Sequence, residues 1–250
     1  MGRSWPFQAQ DGIPILMYHK LGQRPAGARV PGHFVSARLF RAHLQAFARL
    51  GYRAVSLDQV AHFLTTGEAA VERPFAITFD DGYQCLYRWA LPILAGIGYM
   101  ATIFLVAGAV GGYNLWDQEE GDVAQAMLSP SEIKDLQGAG CQFGSHSLTH
   151  CHLDRLPSQQ MEEELARSRD LLEQITGEPI RHLAYPYGGY NAQVEEVASG
   201  CGYLTASTTQ RGVARPGTPA LRLPRINVRR YNLTALLLGK VRRAYGERLP

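Results

Sequence analysis

Two carboxylates stand side by side at Asp80 and Asp81, where the apolar run F-A-I-T-F at residues 75–79 meets Gly82. Like charges at the end of a buried strand repel one another unless a cation lies beside them, and a divalent metal meets that need. Further along, S-H-S-L-T-H puts His146 and His150 four residues apart. On a helical turn, residues so spaced share a face and reach one ion. One Asp and two His make a three-ligand set that leaves a coordination position for water. Asp81, His146 and His150 are therefore the expected ligands, with zinc as the default ion and Co, Ni or Fe able to fill the same site. Asp80, ionised beside them, is placed to accept a proton from water.

The elements that must carry these residues follow from the hydrophobic pattern. Apolar runs at residues 13–18, 53–57, 75–79, 100–106, 141–144, 182–185, 203–206 and 221–228 read as strands. Between them lie helical stretches: one capped by Ser36 and stopped at Gly51, one capped by Asp58 and ending at Gly67, and one over residues 83–97 bent at Pro92. Others are opened by Ser129-Pro130, by Ser158 (ending before Gly177), by Asn191 and by Asn232. Residues 20–31 are rich in Gly and Pro and read as a loop, and residues 107–128 form a long loop carrying Tyr113, Trp116 and Asp117. Strand and helix alternate about eight times, which predicts a parallel sheet closed into a barrel with helices outside. Sites in such barrels lie beyond the C-terminal strand ends, where His19, Asp80, Asp81, His146, Pro186, Tyr187 and Arg225 all fall.

T-F-D-D-G and H-S-x-x-H, with A-Y-P-Y-G at residues 184–188 downstream, resemble the motifs of polysaccharide deacetylases of the NodB homology type, carbohydrate esterase family 4. The resemblance spans residues 13–228 and implies a distorted (β/α)7-8 barrel. It also implies a metal-dependent hydrolase that takes acetyl groups from an amino-sugar polysaccharide or its precursor. In that family the first Asp of T-F-D-D-G is the base, and the backbone N–H at Tyr187 helps to hold the oxyanion. Gly188 and Gly189 would let a polymer approach the backbone.

The chain departs from the commonest family pattern in two places. An Arg usual in the third motif is replaced by Ala184, and no His follows in L-T-A-L-L-L-G-K at residues 233–240. A reaction that expels an amine needs a proton donor. I-L-M-Y-H places His19 at the end of the first strand, as in the circularly permuted branch of the family that acts on poly-β-1,6-N-acetylglucosamine; the resemblance to that branch makes His19 the expected acid. As a His of ordinary pKa near 6.5, it would need a neighbouring carboxylate to stay charged. Arg225 is a candidate for the electrostatic role of the Arg absent at residue 184. Tyr83, Tyr113, Trp116 and Tyr190 are aromatics that can stack on sugar rings. O-acetyl esterase or deformylase activity on the same scaffold, and a non-catalytic carbohydrate-binding barrel, are the competing expectations.

Composition sets the outer limits. The chain has 250 residues, 46% hydrophobic, which suits one domain over residues 1–250 with a core at 13–228 and a C-terminal helix at 232–245. A net charge of +3 does not suggest a nucleic-acid binder. No apolar run reaches transmembrane length and no repeat is evident. The first twelve residues lack the apolar core of a signal peptide, so a cytoplasmic location is expected. Cys85, Cys141, Cys151 and Cys201 show no C-x-x-C pairing and are expected as free thiols, with Cys151 a weaker candidate ligand. Oligomeric state leaves no mark in the sequence.

Overall fold

The computed structural model describes residues 7–119 and 121–246; the first six residues, part of the stretch behind the expected location, lie outside it. The strands are β1 (Ile15–Tyr18), β2 (Lys20–Leu21), β3 (Phe34–Val35), β4 (Arg53–Ala54), β5 (Pro74–Phe79), β6 (Thr102–Leu105), β7 (Gln142–Ser145), β8 (His182–Ala184), β9 (Thr205–Ser207) and β10 (Ile226–Asn227). The helices are α1 (Ala37–Arg49), α2 (Leu57–Thr66), α3 (Cys85–Ile97), α4 (Leu115–Glu119), α5 (Pro130–Gly138), α6 (Ser158–Thr176), α7 (Ala192–Gly200) and α8 (Thr234–Gly246).

The main sheet runs β10-β1-β5-β6-β7-β8-β9, with every pair parallel. β4 pairs only with the start of β5, and β6 only with its end. A parallel bridge between Ser207 and Leu223 brings the last segment back to β9, so the sheet curls round toward closure as a distorted barrel. β1 and β5 are buried along their whole length, as strands covered on both faces must be. Phe40, Leu44 and Phe47 of α1 pack with Phe75 and Phe79 of β5, while Ile15, Phe63 and Ala76 belong to a second cluster.

Several sequence-based boundaries shift for local reasons. α2 is capped by Ser56, whose hydroxyl accepts the Gln59 N–H in a capping box, so Asp58 lies in the first turn and β4 ends early. Pro157, not Ser158, occupies the position before α6. The stretch over residues 221–228 narrows to β10 and the Leu223 bridge, because Pro224 has no N–H to give to a ladder. The loop at residues 20–31 starts with β2, which pairs with β3 after it. The long loop at residues 107–128 contains α4, which carries Trp116. All four cysteines are free, as expected. No helix among the described residues is long and apolar enough to cross a membrane.

Candidate active site

Asp81, His146 and His150 converge beyond the C-terminal ends of β5 and β7. The Asp81 Oδ1 lies 3.3 Å from the His146 Nε2 and 3.4 Å from the His150 Nε2. One potential ligand atom from each residue lies within 4.8 Å of the others, and all three residues are buried. Among the described residues this is the sole cluster of its kind, and Cys151 stands outside it with its thiol pushed up to about 11 by burial.

The backbone is bent to bring these groups together. Among the described residues, the non-glycine residues with positive φ are Asp81 (75°), Ser147 (63°), His150 (65°) and Tyr187 (59°), all at this site. Each such conformation costs on the order of 1 kcal/mol or more and persists only where the surroundings impose it. Gly82 continues the turn at φ 85°, where a Cβ would come within 2.6 Å of the Leu105 side chain. The H-x-x-x-H segment is not helical, contrary to the expectation from its spacing. It is a side-chain-built turn: the Ser145 hydroxyl accepts the Ser147 N–H, and the Ser147 hydroxyl accepts the His150 N–H. Glu164 of α6 accepts the N–H groups of Leu148 and Thr149.

His146 is locked by its other ring nitrogen, because Nδ1–H donates to the Ala184 carbonyl at 2.7 Å and leaves the Nε2 lone pair for the Asp81 side. The residue at 184 thus serves the site through its main chain. Asp80 is held from across the barrel. The Arg225 guanidinium donates to both its oxygens, at 2.6 and 2.7 Å, and also to the Thr208 carbonyl and the Thr78 hydroxyl. Burial pushes the Asp80 carboxyl up, but Arg225 outweighs it and leaves the carboxyl below its ordinary value. For Asp81, burial is likewise overcome, here by the two imidazoles, and the carboxyl lies well below the usual range.

His19 lies within the field of both carboxylates, yet burial dominates and lowers its pKa, assisted by Arg225 and Arg229. The carboxylate neighbours expected from the sequence are present, but they do not outweigh desolvation. The His19 ring stacks on His33 at 3.8 Å and 15°. His33 is itself lowered to about 2, first by burial and then by His19.

The aromatic expectations divide. Trp116 stacks on His150 at 4.6 Å, and the Tyr187 ring meets the same imidazole edge-on at 4.6 Å. Tyr83 is 1% exposed, with its ring under the Lys20 ammonium and its hydroxyl on Asp117, so it supports the site from beneath and offers no face to a sugar. Tyr113 is exposed, and Tyr190 stacks on Tyr185. Pro186 is buried at the start of the turn that carries Tyr187. Gly188 (φ 77°) and Gly189 are partly exposed, and on the side where a Cβ would stand they pack against the Thr209 and Asp154 side chains. Lys20, His33 and Glu164 carried no sequence signal; each matters through a partner distant in the chain.

The profile of the polysaccharide deacetylase family matches residues 67–206, and the chain belongs to that family of hydrolases. The Bacillus subtilis (strain 168) protein YxkH is 29% identical over 216 residues, 86% of this chain and 71% of that protein. The poly-β-1,6-N-acetyl-D-glucosamine N-deacetylase of Staphylococcus aureus (strain MRSA252) is 22% identical over 206 residues, 79% of this chain and 68% of the relative. Among solved structures, the Streptococcus pyogenes deacetylase PplD, in complex with acetate, superposes with a TM-score of 0.81 at 27% identity, over 92% of this chain and 98% of PplD. The fold is the NodB-type α/β barrel that the sequence motifs imply.

Proposed function

We propose that this protein is a metal-dependent hydrolase that removes N-acetyl groups from the amino sugars of a polysaccharide or its precursor, of the poly-N-acetylglucosamine kind. The observation that carries the reading is one Asp81 oxygen facing both imidazole Nε2 atoms, with the ion-paired Asp80 next in the chain. Two ring nitrogens and a carboxylate oxygen in a buried pocket fit zinc, and Co, Ni and Fe accept the same donors. When bound, such an ion supplies Lewis acidity toward the acetyl carbonyl and toward water.

The remaining work falls to this chain's own groups. Asp80, kept ionised by Arg225, accepts a proton from the water that attacks the acetyl carbon. The Tyr187 backbone N–H, on a turn with φ 59°, is assigned to the oxyanion on the strength of the family resemblance. His19, whose pKa burial lowers, must first take up a proton and then gives it to the departing nitrogen, so that the products are acetate and a free amine. Trp116 and Tyr187 supply apolar surface against which a sugar ring can rest. Acetate in PplD and the substrate named for the Staphylococcus aureus relative support this reading.

The test is product analysis by mass spectrometry with β-1,6- and β-1,4-linked N-acetylglucosamine oligomers and with acetylated xylan. Metal-loaded protein is expected to release acetate and leave amines on the amino-sugar oligomers. Asp80→Asn is expected to retain metal and lose roughly 10²-fold or more in turnover. Acetate from xylan alone would make the protein an O-acetyl esterase. Binding of the oligomers with no acetate released would make it a non-catalytic barrel.

A further inference from the structure

The two histidines of the cluster are secured differently. His146 has its Nδ1–H on the Ala184 carbonyl. His150 has its backbone tied to the Ser147 hydroxyl, but its Nδ1 is buried and finds no hydrogen-bond partner among the described residues. A ligating imidazole ordinarily takes its ring orientation from a partner on the non-ligating nitrogen. Around His150 that partner is replaced by rings. Trp116 lies parallel to it at 4.6 Å and 21°, and Tyr187 meets it edge-on at 4.6 Å and 71°. His152 stacks behind Tyr187 at 4.0 Å and 13°.

The indole Nε1 of Trp116 is buried with no hydrogen-bond partner among the described residues, and the next residue in the chain, Asp117, is tied down. One oxygen of Asp117 accepts from the Tyr83 hydroxyl at 2.7 Å, the Asn114 side-chain amide at 2.9 Å and the Lys20 ammonium at 3.2 Å. Lys20 is 2% exposed and lies over the Tyr83 ring at 4.3 Å, with the Phe34 ring farther off at 5.2 Å. The knot joins three segments: the one following His19, the one following Asp81, and α4.

We propose that Trp116, anchored through Asp117, is a positioning residue for His150, an aromatic clamp standing where the second-shell hydrogen bond of His146 stands. This rests on the metal reading of Asp81, His146 and His150. The clamp works in two ways. It blocks rotation of the imidazole about its last bond, keeping Nε2 turned toward Asp81. It also presents a π face to a ring that becomes more positive when Nε2 is ligated, an attraction of the cation–π kind.

The experiment measures zinc affinity by competition with a chromophoric chelator, on the full chain and its variants, with no substrate present. Trp116→Ala and Asp117→Asn are expected to bind zinc about 10- to 100-fold more weakly, the usual effect of losing an outer-shell support. Trp116→Phe, which keeps a ring against His150, is expected to retain most of the affinity. A loss due to general damage would also lower the melting temperature of the metal-free protein; the clamp predicts little change there for Trp116→Ala. If Trp116→Ala does not fold, Trp116→Phe with the Trp5→Phe/Trp89→Phe protein gives a second measurement. In the latter Trp116 is the sole indole, and cobalt at the site is expected to quench its fluorescence, with the quenching reduced by Asp117→Asn. Wild-type affinity in both Trp116→Ala and Asp117→Asn, or no cobalt quenching of Trp116, would overturn the clamp while leaving the metal reading intact. A wild-type protein that takes up no zinc would overturn both.

Discussion

Arg225, 1% exposed, grips both oxygens of Asp80 from a position 145 residues later in the chain. Two short charge-assisted bonds in a buried setting set the carboxylate's orientation as well as its charge. Arg225→Ala should therefore leave a buried carboxylate without its counter-ion, at a cost of about 3–5 kcal/mol in denaturant unfolding, together with a large fall in kcat. Arg225→Lys keeps the charge and loses the fork, so stability should recover more than turnover does. Unfolding curves and steady-state kinetics on both variants check this. Turnover unchanged in Arg225→Ala would mean that Asp80 does not depend on Arg225.

The ligand cluster gives the second prediction. His146→Ala removes one of the two imidazoles that face Asp81 and should abolish tight binding of one metal equivalent, together with acetate release. Metal content measured by atomic emission after dialysis decides the point. A full equivalent in this variant would show that the ion is held elsewhere.

His19 carries the third. As proton donor to nitrogen, it matters for an amide and much less for an activated aryl acetate ester, whose leaving group departs without a proton. His19→Ala should keep metal and substrate affinity, lose kcat on the amide, and lose far less on the ester. Equal losses on the two substrates would assign His19 a structural part, in keeping with its stack on His33.

A fourth prediction concerns pH and a histidine away from the site. His43 of α1 is fully buried, accepts the Tyr18 hydroxyl on Nδ1 and donates from Nε2 to the Asn232 carbonyl at 2.7 Å. Burial lowers its pKa from 6.5 to about 4, against the pull of that carbonyl. Between those two values the unfolded chain binds a proton that the folded chain refuses, so stability falls as pH drops from about 6.5 to about 4. The loss amounts to about 3 kcal/mol when complete. His43→Gln should be less stable near neutrality and should show a pH slope smaller by one proton in that window, the remaining slope coming from other groups lowered on folding, such as the half-buried His33. Urea melts at several pH values measure the slope, and an unchanged slope would exclude His43 as its source.

The parts of this protein written in short stretches of chain were legible without coordinates. An apolar strand running into Asp80-Asp81-Gly82, two His four apart, and the regular return of strand and helix are local patterns. They report a strand end, a pair of His able to share one site and a parallel α/β sheet because side-chain period and turn chemistry act over a few residues. Packing decided the rest. The spacing of His146 and His150 suggested a helix, but their turn is built by Ser145, Ser147 and Glu164, with positive φ at two residues. No local pattern near Asp80 supplies its counter-ion; that comes from Arg225, on the segment leading into β10, which pairs with β1. Tyr83 reads as an aromatic able to stack on a sugar, yet it is buried under Lys20 and bonded to Asp117. Such roles depend on which residues meet when the barrel curls and on how much water is left beside them. His19 shows the consequence most plainly: its carboxylate neighbours follow from strand order, but the desolvation that outweighs them exists only in the folded interior.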